Sequence, residues 1–343
     1  MSRMDRLSTD LERGFEALEA GKLDAAASAL DRCKRIDRKH PDVVMLGAAL
    51  ADAEGDPDTA IEQYRLLVTL RPDDPMPRIC IARLELHDHG DPDAALATVN
   101  GAFDFIDEEA DLLEAIFIKA EALIARGELV SARETLGELT TSAIDDPELA
   151  FDLAELCLSA EDAAGALRWV EVARGGAAEN DASLEADALH LIGRVHELNN
   201  NQDEMIVAWQ KVRTLDLAAP SHDLSITEDE IETIASAALA ELPEHIRKHL
   251  ERVPIMIDDL PSEDIVADGW DPRILGLFQG TPLPEDVTGG TPSVTTILLF
   301  KKNLERSCTD KEHLAAEIRI TVLHETAHYF GLDDDDLEKI GLG

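Results

Sequence analysis

The residues with the clearest capacity for chemistry lie in the segment HETAH at positions 324–328. In a helix, residues four apart lie on one face, so His324 and His328 can direct ring nitrogens at a single ion. Imidazole nitrogens bind zinc at about 2.0–2.1 Å. Glu325 is too close to the first histidine to be an easy third ligand, but it can reach a water activated by the metal, which is the place of a general base. The spacing therefore predicts a zinc site with Glu325 as its base.

A catalytic zinc site needs a third protein ligand and one open position. Gly331 predicts the end of the helix, after which the chain can fold back beneath the metal. Asp334 stands three residues further on, where the extended motif HExxHxxGxxH/D carries its third ligand. We therefore expect Asp334 to complete the site. The adjacent Asp333, Asp335 and Asp336 leave open an error of one residue in this assignment.

The elements that must position this segment form a small α/β pattern. A helix is predicted over 225–250, with Thr227 as its N-cap and Pro243 dividing it. The last long helix is predicted over 310–330. Between these helices, short apolar and β-branched runs predict strands at 253–257, 275–278 and 295–301. The pattern is least clear in the second run.

The N-terminal part of the chain shows a repeat of 34 to 37 residues. Each turn glycine is followed five residues later by a small residue, and the register extends to Ala166 and to Met205, with Asn200 in the turn position. This is the pattern of a helical hairpin, in which glycine makes the turn and the small residue lets two helices approach closely. The four glycine–alanine pairs are Gly21 and Ala26, Gly55 and Ala60, Gly90 and Ala95, and Gly127 and Ala132.

The segment GDPDTAIEQYRLLVTLRP, residues 55–72, resembles the second half of a tetratricopeptide (TPR) repeat. About six such units fit between residues 8 and 218, and the segment LAAPSH at 217–222 reads as a linker. We therefore expect a multidomain chain: an N-terminal all-α TPR-like solenoid over 1–218, and a small C-terminal α/β domain over 219–343. The TPR resemblance implies a protein partner in the groove of the solenoid.

The last ~115 residues resemble the small bacterial zincin-like metallopeptidases, often described as minimal zincins with an HExxHxxGxxD motif. The resemblance implies zinc ligands at His324, His328 and Asp334, with Glu325 as the catalytic glutamate. It also implies a zincin-like α/β domain in which a peptide substrate extends along an edge strand. Tyr329 and Phe300 depart from the residues expected in relatives, but neither belongs to the ligand set. The matching segments are 238–264, 271–283, 297–308 and 321–341.

Composition narrows the possible partners. The chain has 72 acidic and 31 basic residues and a net charge of −41, which argues against binding of nucleic acid or of an anionic membrane surface. No apolar run reaches the ~18 residues of a membrane span, and no leader is evident, so a cytoplasmic protein is expected. The cysteines are far apart and are expected to be buried apolar residues rather than ligands or disulfides: Cys33, Cys80, Cys157 and Cys308.

Three functions fit these residues. The first is a Zn²⁺-dependent peptidase, with a protein or peptide substrate that the TPR scaffold recruits or presents. The second is a TPR interaction module whose zinc-binding domain is structural or has lost turnover. The third is another zinc hydrolase that acts on amides. The presence of Glu325 favours the first, because a structural zinc site does not need a general base.

Overall fold

The computed structural model divides into two compact units, which comprise residues 1–172 and 173–343. Within the described ranges, no helix has both the length and the apolar character to cross a bilayer. All four cysteines are free, three of them buried and Cys80 half-buried. The structure describes residues 3–139, 144, 146–176, 182–220, 224–250, 253–280 and 296–332.

The first unit is built from antiparallel helical pairs, as the repeat predicts. Its helices are α1 (Arg3–Glu19), α2 (Leu23–Asp37), α3 (Pro41–Ala53), α4 (Pro57–Leu70), α5 (Met76–His87), α6 (Pro92–Asn100), α7 (Glu109–Ala125), α8 (Leu129–Leu136), α9 (Pro147–Ser159) and most of α10 (Ala163–Gly176), with a 3₁₀ turn at Phe103–Phe105.

An aspartate followed by proline starts several of these helices. Asp56, Asp91 and Asp146 each precede a proline at the first helical position, and each carboxylate accepts backbone N–H groups of the first turn. Proline fits there because its missing N–H would have no helical partner. These caps fix where α4, α6 and α9 begin.

The six turn positions share one backbone conformation. The four turn glycines have φ between 62° and 74°, and no atom lies within 4 Å of a Cβ added to any of them. Glu161 and Asn200 take the same conformation, with φ of 56° and 57°. The left-handed turn is therefore present in all six repeats, including the two that have no glycine at the turn position.

The small residues predicted to let two helices approach closely are buried in every repeat, and so is a second position on the same helix. The residue five positions after each turn position is at most 5% exposed: Ala26, Ala60, Ala95, Ala132, Ala166 and Met205. The residue four positions after each of these is buried as well: Leu30, Tyr64, Val99, Leu136, Val170 and Trp209. The repeat thus encodes the packing of each helical pair.

The second unit contains one more helical pair and the predicted α/β part. Its elements are α11 (Ala182–Leu198), α12 (Gln202–Ala218), α13 (Glu228–Ala240), α14 (Glu244–Leu250), β1 (Ile255–Asp258), α15 (Glu263–Ala267), β2 (Gly276–Gln279), β3 (Thr296–Phe300), α16 (Lys301–Arg306) and α17 (Lys311–Tyr329). Thr227 caps α13, in a capping box with Glu230. All three strands match the sequence predictions, whereas α15 and α16 were not predicted.

The strands form one sheet of order β1-β3-β2, in which β3 pairs parallel with β1 and antiparallel with β2. Every residue of β3 is buried, because both faces of this central strand are covered. Ile297 and Leu299 belong to the core formed with α13 and α17, and Leu298 and Phe300 to a smaller core on the opposite face. This explains the continuous apolar run at 296–300.

A buried aspartate joins α12 to the α/β part of the same unit. Asp216 is 3% exposed and accepts hydrogen bonds from Arg273 (Nε–Oδ2, 3.0 Å) and Arg306 (Nη1–Oδ2, 2.9 Å). We call these three residues the Asp216 cluster. Lys302 donates to the carbonyl of Leu217 at 3.0 Å, which satisfies a free carbonyl at the end of α12. The predicted domain boundary at 218/219 stays a prediction, and the division of the chain into two compact units falls between residues 172 and 173.

Candidate metal and catalytic site

Helix α17 is the platform of the candidate site. Asp310 caps its first turn by accepting the N–H groups of Glu312 and His313, both at 2.9 Å. Ile318 and Val322 are fully buried on the face that packs on the sheet. Glu325 continues this buried face one turn later, whereas His324 and His328 are half-buried beside it. Helical periodicity therefore separates the carboxylate from the imidazole pair.

The two histidines of the motif lie side by side. The Nε2 atoms of His324 and His328 are 3.0 Å apart, and their ring centroids are 4.6 Å apart. The Nδ1 atom of His328 lies 3.0 Å from the carbonyl oxygen of Leu332. Because a carbonyl only accepts, Nδ1 carries the proton, and in neutral His328 the Nε2 lone pair faces His324.

The donor set fits a zinc ion on geometric grounds. Two nitrogens bound to one tetrahedral zinc lie about 3.3 Å apart, close to the observed 3.0 Å between the Nε2 atoms. The Leu332 carbonyl plays the part of the outer partners that orient metal-binding histidines. Across the described residues, no group of three metal-binding side chains is found. Asp334 lies outside these residues, as do Asp333, Asp335 and Asp336, so the third ligand stays a prediction.

The carboxylate of Glu325 is held against strand β2. Glu325 is 7% exposed, and its Oε2 accepts the backbone N–H of Phe278 at 2.6 Å. A buried carboxylate needs such a donor, since transfer out of water without a hydrogen bond is costly. The side chain that the sequence predicts to be the general base is thus oriented by the sheet.

Tyr329 belongs to the core beside this carboxylate. It is 5% exposed, and its ring lies 5.7 Å from that of Phe278 and 5.1 Å from that of Phe330. Tyr329 follows His328 directly and therefore lies about 100° around the helix from it, on the side that packs in the core.

Some groups that shape the site could not be predicted from the sequence. Gly276 and the N–H of Phe278 lie next to Glu325, and the carbonyl of Leu332 orients His328. Two of these are backbone groups and the third is a glycine. Neither residue type nor spacing marks such groups, although the predicted strand at 275–278 includes the first two.

Comparison with known proteins gives a different result for each part of the chain. Residues 250–343 match the family model described as zincin-like metallopeptidase. No curated protein matches the sequence.

Solved structures match the chain through its helical repeats. PilW, a type IV pilus biogenesis factor, has a TM-score of 0.50 at 14% identity, over 61% of this chain and 92% of its own. The C-terminal part of a TPR repeat-containing protein from Cytophaga hutchinsonii has a TM-score of 0.50 at 9% identity, over 75% of this chain and 91% of its own. At these identities the likeness concerns the fold.

The chain therefore joins an N-terminal TPR-like helical-repeat solenoid to a C-terminal region that is matched, over residues 250–343, by the zincin-like metallopeptidase family.

Proposed function

We propose that this protein is a zinc-dependent peptidase in which His324, His328 and Asp334 hold the metal and Glu325 is the general base. The TPR-like repeats recruit the protein substrate or a partner that delivers it. The region of the family match contains all four residues.

One observation carries the proposal. Two imidazole nitrogens meet at 3.0 Å on one side of α17, and the adjacent Glu325 carboxylate is buried against the sheet. A structural zinc site has no use for a buried, oriented carboxylate next to its ligands. The arrangement therefore favours hydrolysis over a purely structural zinc domain.

Each group then has a defined role. A zinc ion in this site would supply Lewis acidity, which lowers the pKa of a water ligand and polarises a peptide carbonyl. Glu325 takes a proton from the attacking water as the new C–O bond forms, and passes it to the departing amine as the C–N bond breaks. The hydrogen bond to the carbonyl of Leu332 fixes the ring of His328, whose Nε2 atom would bind the ion.

Among the strands that the structure describes, β2 lies at one edge of the sheet, and its Gly276 lies next to Glu325. An extended peptide can add to such an edge through backbone hydrogen bonds. A peptide bound in this way would lie beside the base, and the repeats would contribute much of the choice of substrate.

The direct test measures zinc by mass spectrometry and cleavage of a denatured-protein library, in wild type and in Glu325→Ala. We expect zinc in both and cleavage in the wild type alone. Zinc in both proteins without Glu325-dependent cleavage would leave the interaction-module alternative. Absence of zinc after metal-replete purification would reject both the zinc peptidase and the interaction module with a zinc-binding domain.

The ligand assignment has its own test. His324→Ala, His328→Ala and Asp334→Ala should each weaken zinc binding at least a hundredfold or so, since even outer partners of ligands cost about 10–100-fold. His313→Ala is the matched control, because His313 is exposed on the same helix. Asp336→Ala should have little effect, and equal losses in the two aspartate variants would show that the predicted register is wrong.

A further inference from the structure

The Glu325 carboxylate meets strand β2 at a backbone group that the sheet itself does not use. Leu275 and Phe300 form a hydrogen-bonded pair, with the N–H of Phe300 donating to the carbonyl of Leu275 at 2.9 Å. Hydrogen-bonded pairs alternate along antiparallel strands. Phe278, three residues after Leu275, therefore directs its N–H away from β3, and this N–H donates to Glu325 at 2.6 Å.

Gly276 allows the helix to come this close. It is buried, and a Cβ added there would lie 2.7 Å from Cγ2 of Thr321. The same Cβ would lie 3.0 Å from Cγ and 3.2 Å from Oε1 of Glu325. Its φ is not positive, so close approach rather than backbone conformation requires glycine. Any side chain at 276 must displace either Glu325 or the helix.

We propose that Gly276 and the N–H of Phe278 form a backbone seat that positions the general base. The short hydrogen bond to the carboxylate fixes one oxygen, Oε2, and the absent side chain at 276 leaves room for the other, Oε1. Both are positioning groups that act through Glu325. The inference rests on the proposed function, because it assigns the seat to the reaction of Glu325.

Nuclear magnetic resonance on the full chain detects the seat without any activity assay. The protein has eight phenylalanines, so selective ¹⁵N-phenylalanine labelling gives few amide signals, and Phe278→Leu identifies the one of interest. In zinc-loaded wild type we expect a downfield, slowly exchanging Phe278 amide proton. Glu325→Ala should move it upfield and speed its exchange about tenfold or more, whereas Glu317→Ala, on the same helix, should not. An unchanged signal in Glu325→Ala would overturn the seat.

Kinetics then test its role. Phe278→Pro removes the N–H without breaking the β3 ladder, and Phe278→Ala controls for the lost ring. The proline variant should bind zinc normally and lose about tenfold or more in kcat relative to the alanine variant, with KM changed less than about threefold. Equal kcat in the two would contradict a positioning role.

Gly276→Ala is an independent variant for the same role. It should lower kcat at normal zinc content, and Gly175→Ala, where nothing lies within 4 Å of the added Cβ, should not. Equal kcat in the two glycine variants would overturn the positioning role of Gly276. A seat detected by resonance in a protein that cleaves no substrate would disprove its catalytic role together with the proposed function. Cleavage without the amide effect would disprove the seat alone.

Discussion

The two compact units differ in how far apart in the sequence their stabilising partners lie. In the first unit, Arg71 pairs with Asp42, 29 residues away, at 2.5 Å. In the second unit, Arg306 pairs with Asp216, 90 residues away, and Glu325 with Phe278, 47 residues away. The first unit is built from contacts between neighbouring helices of a repeat, whereas the second depends on contacts between segments that are distant in the sequence.

The Arg71–Asp42 and Arg306–Asp216 ion pairs also differ in burial. Asp42 is 41% exposed in its ion pair, whereas Asp216 is 3% exposed. Exposed pairs contribute about 0–1 kcal/mol, but removal of one partner from a buried pair costs about 3–5 kcal/mol, since the other charge stays buried. Loss of one partner from the Arg71–Asp42 pair should therefore cost less than loss of one partner from the Asp216 cluster.

The largest expected effect comes from breaking the Asp216 cluster. Asp216→Ala removes the buried carboxylate that pairs with Arg273, but Arg273 keeps its ion pair with Asp187, which is 36% exposed. The second unit should therefore lose about 3 kcal/mol of unfolding free energy, the lower end of the cost of breaking a buried pair. Asp42→Ala, its matched change in the first unit, should cost less than about 1 kcal/mol there. Hydrogen exchange with mass spectrometry, along a urea series, follows the two units separately. Similar losses in both would remove the contrast.

The next largest effect should be a difference between the two units in how their stability changes on acidification. Burial opposes ionisation of Asp216, but hydrogen bonds from Arg306 and Arg273 outweigh it and lower the pKa of this carboxyl. Burial also opposes ionisation of Asp271, yet the hydrogen bond from His190, at 2.8 Å, lowers its pKa. A lowered pKa gives stability that is present above the ordinary value of 3.8 and is lost as the pH falls toward the folded-state pKa.

Two partly buried carboxyl groups of the first unit have pKa values shifted in the opposite direction, unlike the exposed Asp56, whose pKa is lowered. Burial raises the pKa of Glu114 and of Glu121, in the latter despite His87 nearby. The stability that these two carboxyl groups contribute is fully present below the ordinary glutamate pKa of 4.5, and it is lost as the pH rises through the raised pKa. Between pH 7 and pH 3, exchange protection should therefore fall more in the second unit. Glu114→Gln should reduce the gain of the first unit on acidification, and an equal decline in both units would contradict this.

The smallest effects should come from single turns. Glu161 has φ of 56° where four other repeats have glycine, so Glu161→Gly should stabilise the first unit by about 0.5–1 kcal/mol. Gly55→Ala, at φ of 74°, should destabilise it by about 1 kcal/mol. Urea midpoints give both values. Destabilisation by Glu161→Gly would mean that its side chain, rather than its backbone conformation, decides the turn.

The same contrast explains what could be predicted from the sequence. The repeats, their turn at Asn200, the N-cap at Thr227 and the three strands follow from local spacing, and the structure confirms them. The left-handed Glu161 has no residue-type signal, although it lies in register. The Asp216 cluster could not be predicted, because its members share no motif.

The site divides in the same way. The helical spacing predicts that the two histidines meet, and they do, at 3.0 Å. Their assignment as ligands, and that of Asp334, stay predictions. The seat of Glu325 could not be predicted, since a backbone N–H and a missing side chain leave no signature in residue types. The seat arises from the packing of α17 against β2, together with the register that turns the Phe278 N–H away from β3.

The most direct test of the central claim is the ratio of kcat/KM between wild type and Glu325→Gln, both carrying one zinc per chain, on one denatured protein substrate. A general base contributes about 10²–10⁴-fold, so we predict a loss of that size at equal zinc content. Equal cleavage by the two proteins would contradict the assignment of Glu325 as the base of a zinc peptidase.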